Sequence, residues 1–126
     1  MKDEIITLGT AKLAKEKGFS VSHRYGSWIY DLEDEELVYT TDVMYRTNYL
    51  INNLGTLAPS QSLLQRWLRE EKGVDVFIHN SIKENHYDWS VYSQDKETII
   101  SECSQYYISY EVALEDGLIE ALSLIE

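Results

Sequence analysis

The stretch Ala58 to Ile78, APSQSLLQRWLREEKGVDVFI, constrains this chain most, because a helix with both ends marked runs straight into a strand. Pro59 suits a first helical position, whose N–H has no partner in the helix. Leu64, Trp67 and Leu68, with Leu63 beside them, recur at helical spacing and make one apolar face, which predicts Trp67 as a core residue. Arg66, Arg69, Glu70 and Lys72 fall mostly on the other faces. Gly73 can take the left-handed conformation that closes a helix. Val74, Val76 and Ile78 then alternate with Asp75 and His79, the period of a strand with one buried face.

Two further helices are marked locally. Thr7 caps a predicted helix over Leu8 to Lys17, with Ala11, Leu13 and Ala14 inward. Gly18 ends it, and Phe19 folds back onto its last turn. Gly9 weakens the first turn, while Lys12, Lys15 and Lys17 suit the negative end of the helix dipole. Near the C-terminus Ser109 caps a helix whose stripe is Leu114, Leu118, Ala121, Leu122 and Ile125. Glu111, Glu115, Asp116 and Glu120 mark its expected solvent side.

Between these helices the chain favours strands. Val21 to Tyr30 and Leu37 to Tyr45 are rich in aromatic and β-branched residues, with Tyr25, Trp28, Tyr30, Tyr39 and Tyr45 among them. Residues 31 to 36, DLEDEE, form an acidic turn between the two, so an antiparallel hairpin with a charged tip is expected. Residues 46 to 57 read as an irregular connection. Tyr87 to Tyr92 alternates and is the expected antiparallel partner of Val74 to Ile78. Thr98 to Cys103 reads either as another short strand or as part of a loop leading to Tyr106 and Tyr107. The expected fold class is α+β, a small mainly antiparallel sheet with three helices packed against it, in a single domain over 1–126.

Three blocks together carry a resemblance: TLGTAKLAKEKGF at 7–19, APSQSLLQRWLREEKGVDVFI at 58–78 and SYEVALEDGLIEALSLI at 109–125. They resemble a group of small, uncharacterised proteins encoded by phages and prophages of gut bacteria, over about 50 of the 126 residues. In that group the blocks recur in this order around a variable aromatic hairpin. Val112 stands where the group carries an acidic residue. The resemblance implies a shared fold, a phage-type origin and a bacterial host cell. It brings no catalytic motif.

Charge narrows the partners. The formal net charge of −11 opposes binding to nucleic-acid backbones or anionic membranes, which need clustered Lys and Arg. It fits a solubilising surface, an acidic mimic of nucleic acid, or a partner for a basic protein surface. The N-terminus is charged with no long apolar run after it, and no stretch approaches the ~20 apolar residues of a membrane span. One cysteine excludes an intramolecular disulfide, which fits a reducing compartment, and with no signal segment or membrane span visible the expected setting is the cytoplasm.

Chemistry is thinly signalled. Cys103 with His79 or His86 is the available thiol–imidazole combination, but no activating signature surrounds it. His79, His86 and Asp88 carry ligand atoms, yet six residues between the histidines match no tight metal spacing. The 31–36 carboxylates sit on a solvated tip, the opposite of the desolvated cleft that raises a catalytic carboxyl. No catalytic residue, metal site or cofactor is therefore expected. The ten tyrosines and three tryptophans are the surplus, since such rings anchor interfaces. The expected function is non-enzymatic binding of a host protein or small ligand by a phage accessory protein. The candidate binding residues are Trp28, Tyr30, Glu33, Asp34, Glu35, Tyr87, Trp89 and Tyr92. The alternatives are a small enzyme using Cys103 or His79/His86, and a structural component of a phage particle.

Overall fold

The computed structural model describes residues 4–19, 27–40 and 54–125, and these form two compact units. One comprises Ile5–Ser60; the other runs from Gln61 onward and includes Glu4. Each carries a three-stranded antiparallel sheet, so the α+β class stands with the strands divided between two sheets. No helix among the described residues is long and apolar enough to cross a membrane.

In the first unit, helix α1 (Leu8–Glu16) starts where the sequence marks it. Thr7 is extended, and its hydroxyl oxygen accepts from the Thr10 N–H at 3.4 Å, satisfying one of the helix's orphan donors. At the other end Gly18 takes φ +90°. That turn lets the Phe19 N–H donate back to the Ala14 carbonyl at 3.0 Å, and the Phe19 ring is buried. Thr10, Ala11 and Ala14 form the buried stripe, with Leu13 at its half-buried margin.

The sheet of this unit has the order β2-β1-β3, with β1 Ser27–Asp31, β2 Leu37–Thr40 and β3 Gly55–Leu57. Central β1 pairs Ile29 with Val38 on one side and with Leu57 on the other, and Ile29 is almost wholly buried. The expected hairpin is present over the described strands; its outer parts, 21–26 and 41–45, lie outside the described residues. Strand β3 corrects the reading of 46–57 as irregular, in its last three residues, while 46–53 lie outside the described residues. A three-residue strand beginning with glycine has no periodicity to read; its pairing with β1 alone defines it. An Ile5–Ser60 bridge and the Ile6 N–H bond to the Pro59 carbonyl, 3.1 Å, tie the start of this unit to its end.

In the second unit, helix α2 (Gln61–Lys72) ends at Gly73, φ +66°, and runs directly into β4 (Val74–Ser81). Pro59 therefore precedes the helix by two positions rather than opening it. Leu64 and Leu68 are buried as expected, but Trp67 is only half-buried, with the Lys72 ammonium 5.6 Å above its ring. The buried position that the pattern missed is Gln61, whose amide donates to the Glu111 carbonyl at 2.8 Å and to Glu115 Oε1 at 3.0 Å. Strands β5 (His86–Ser93) and β6 (Thr98–Glu102) complete an order of β4-β5-β6. The Val76–Val91 and Ile78–Trp89 pairs put Trp89 and Val91 on the face that helix α3 (Tyr110–Leu124) covers.

Ser109 caps α3 as expected, accepting from the Val112 N–H at 3.4 Å. Leu114, Leu118, Ala121 and Leu122 are buried. The acids placed on the solvent side are instead half-buried and engaged: Glu115 with Gln61, Asp116 with Tyr107 and Glu120 with Ser101. The exposed positions include Val112 and Ile119. Polar groups of neighbouring segments reach the flanks of this helix, which a helical wheel alone cannot show.

Gly117 lies where a Cβ would come 2.8 Å from Val76 Cγ1 and 3.2 Å from Trp89 Cβ. Gly117→Ala should therefore destabilise by about 1–2 kcal/mol, the overpacking cost outweighing the gain in helix propensity. Gly9, whose Cβ position is open, should gain about 0.5 kcal/mol as alanine. Denaturant titration of both variants checks the opposite signs; equal shifts would contradict the close seating of α3.

Candidate functional site

Strand alternation sorts the β1–β2 hairpin into two faces. Ile29 and Val38 pair on one, while Trp28 and Tyr39 pair on the other. The Trp28 and Tyr39 rings lie 5.1 Å apart, tilted at 56°, and remain 39% and 52% exposed. Two large rings held against each other and left open to water have little conformational entropy to lose if a partner covers them. Tyr30 shares the Trp28 side of the strand by alternation but not its fate. It is half-buried, and its hydroxyl donates to the Ile6 carbonyl at 2.8 Å, a tie inside the unit rather than an open contact.

The tip beyond these strands is organised by its own carboxylates. Asp31 Oδ1 accepts from the Glu33 N–H at 2.9 Å and the Asp34 N–H at 3.4 Å, and Asp34 Oδ1 accepts from the Glu36 N–H at 3.0 Å. Glu35 takes the left-handed conformation, φ 61°, that turns the chain into β2. Glu33, Asp34 and Glu35 are all exposed. At ~3.3 Å rise per residue, the Trp28 backbone lies about 10 Å from the start of this tip, near one Debye length at ordinary salt.

The other three candidates belong to the second sheet and divide differently. Trp89 is 8% exposed and packs under α3, so it serves the core and not a surface. Tyr87 is half-buried, bridged through its backbone to Tyr107 and edge-on to Tyr110 at 6.0 Å. Tyr92 faces away from α3, edge-to-face with Phe77 at 6.3 Å. The eight residues thus span two sheets, and only Trp28 and the three acids of the tip are open to solvent. Tyr39, named among the hairpin aromatics but not among the candidate binding residues, is the exposed partner; the hairpin register opposite Trp28 is the signal that finds it.

Each residue of the enzymatic alternative is engaged elsewhere. His79 Nδ1 lies 2.8 Å from Asp88 Oδ1, its cross-strand partner. His86 lies 3.4 Å from Glu84 Oε2, and its ring lies 3.9 Å from the Tyr106 ring. The Cys103 thiol donates to the Gln105 carbonyl at 3.2 Å and accepts from the Trp89 N–H at 3.2 Å. Neither histidine is hydrogen-bonded to Cys103. Among the described residues no three His, Cys, Asp or Glu side chains are grouped to hold a metal ion.

The Tyr107 hydroxyl joins three partners. It donates to Asp116 Oδ2 at 2.7 Å and accepts from Gln105 Nε2 at 3.0 Å and Trp89 Nε1 at 3.4 Å. Burial first, and the Asp116 carboxylate that holds its proton second, raise its pKa above the ordinary tyrosine value. This joins the loop before α3 to the helix and to the core tryptophan. No family model, curated protein or solved structure matches the chain.

Tyr107→Phe should cost about 1–3 kcal/mol, because the partners on α3 and β5 lose a shared bond. The raised pKa sets the pH dependence: the folded state holds the phenol proton more tightly than the unfolded chain. That contribution is complete below the unfolded value and is lost as pH rises through the folded one, so the wild-type advantage should narrow above about pH 10. Urea titrations of both proteins at about pH 7 and pH 11 check this; an unchanged gap would contradict the assignment.

Proposed function

We propose that the chain is a non-enzymatic accessory protein of the phage and prophage type that binds a host protein in the bacterial cytoplasm. The observation that carries this reading is the exposed Trp28–Tyr39 pair on the same hairpin as the acidic tip. The three sequence blocks carry the phage origin. A hairpin with two packed rings across its strands and carboxylates at its tip separates two tasks. The rings supply desolvated contact area once docked, and the tip acts at a distance on a basic surface. The overall charge of −11 selects the same kind of partner. The binding residues on this reading are Trp28, Tyr39, Glu33, Asp34 and Glu35, with Tyr30 holding β1 in place.

The two tasks separate in kinetics. With a partner isolated from host lysate, Glu33→Gln, Asp34→Asn and Glu35→Gln together should lower the association rate about tenfold at low salt, and the variant's rate should barely respond to added salt. The dissociation rate should hardly change. Trp28→Ala should instead speed dissociation about 30-fold, with the melting temperature lowered by only a few degrees, the loss of one cross-strand pair. Normal binding by the charge variant at low and high salt would end the steering role. Loss of stability rather than affinity in Trp28→Ala would return that ring to the core.

A further inference from the structure

The two edges of the β4-β5-β6 sheet are treated differently. At β4, helix α2 packs alongside, and Gln65 Nε2 donates to the Val76 carbonyl at 2.7 Å. At β6, no strand among the described residues lies beyond. The Cys103 N–H donates to the Trp89 carbonyl at 3.2 Å, so ladder alternation turns the N–H and C=O of Glu102 away from β5, toward that open edge. Across the sheet face opposite α3, Phe77 meets Tyr92, and Tyr92 is the register partner of Ile99 on β6. Phe77 and Ile99 are 47% and 46% exposed, so an apolar row crosses all three strands and stops at the open edge. Glu97 and Glu102 flank β6 at its two ends.

Open edges pair with strands, and natural proteins usually blunt them. A second copy is a poor occupant, because each chain carries a charge of −11 and would bring its own Glu97 and Glu102 to the contact. A basic strand meets both carboxylates favourably. We infer that the β6 edge is a strand-addition site for an extended, basic segment of another protein. Its backbone pairs with Glu102, its Lys or Arg side chains face Glu97 and Glu102, and an apolar side chain between them lengthens the Phe77–Tyr92–Ile99 row. This edge belongs to a different sheet from the β1–β2 hairpin, and its test does not depend on the hairpin binding anything.

The test uses the full chain and two blocked seven-residue peptides, Thr-Lys-Thr-Val-Thr-Lys-Thr (Lys/Val) and Thr-Glu-Thr-Val-Thr-Glu-Thr (Glu/Val), in which the charged residues and the valine share one face of the strand. At about 1 mM Lys/Val peptide, hydrogen exchange of the Glu102 amide should slow at least about twofold, the half-occupancy of a millimolar Kd. The Glu/Val peptide should have no effect. The double variant Glu97→Lys with Glu102→Lys should exchange these preferences, with an unchanged melting temperature. Unaltered Glu102 exchange with the Lys/Val peptide would overturn the proposal, as would equal protection by both peptides. Protection that rises with protein concentration alone, with dimers in sedimentation, would assign the edge to a second copy and overturn it as well.

Discussion

The second unit depends on how closely α3 can approach β4 and β5, and Gly117 sets that distance. A methyl group there would overlap Val76 and press on Trp89, so the helix sits where only a hydrogen fits. Ala113 and Ala121, one turn to either side, are fully buried and continue the small-residue stripe. Leu114, Leu118 and Leu122 fill the space beside it, and each fully buried leucine contributes roughly 1.5–3 kcal/mol of apolar transfer. The seat fixes which sheet face is covered. It thereby also fixes the face that carries Phe77, Tyr92 and Ile99 and the edge that carries Glu102.

Around this apolar contact runs a polar margin that is almost entirely satisfied by segments far apart in sequence. Gln61 reaches Glu111 and Glu115, Ser101 reaches Glu120, and Tyr107 reaches Asp116. Each bond joins α3 to a different element: the start of α2, strand β6 and the loop before the helix. Buried polar groups left unpaired are costly, so such a margin favours one seating of the helix over neighbouring ones. Cys103 belongs to the same margin, its thiol bonded between Trp89 and Gln105 rather than held beside an imidazole.

What the sequence displayed was local. The caps Thr7 and Ser109, the stops Gly18 and Gly73, and the β4–β5 pairing are all written in a few neighbouring residues and all occur as read. What it concealed was non-local. Strand β3 exists only through β1, and the acids of α3 turn inward only because Gln61, Ser101 and Tyr107 come to meet them. Trp28 and Tyr30 share a strand face by alternation, yet the Ile6 carbonyl takes the Tyr30 hydroxyl and leaves Trp28 open. Trp67 sits on the apolar side of α2 but at its margin, where Lys72 covers part of the ring.

Aromatic side chains among the described residues thereby take three roles. Trp89 fills the layer under α3, Tyr30 and Tyr107 tie distant segments by their hydroxyls, and Trp28 with Tyr39 stays on the surface as the candidate contact. This division is the basis of the binding reading, because a ring that fills the core is not free to meet a partner. Acrylamide quenching of fluorescence in variants that keep one tryptophan each, the others replaced by phenylalanine, measures it directly. Trp28 alone should be quenched efficiently and emit as a hydrated indole, while Trp89 alone should be shielded and blue-shifted. A Trp28 emission as shielded as that of Trp89 would contradict the division and with it the hairpin as a binding surface.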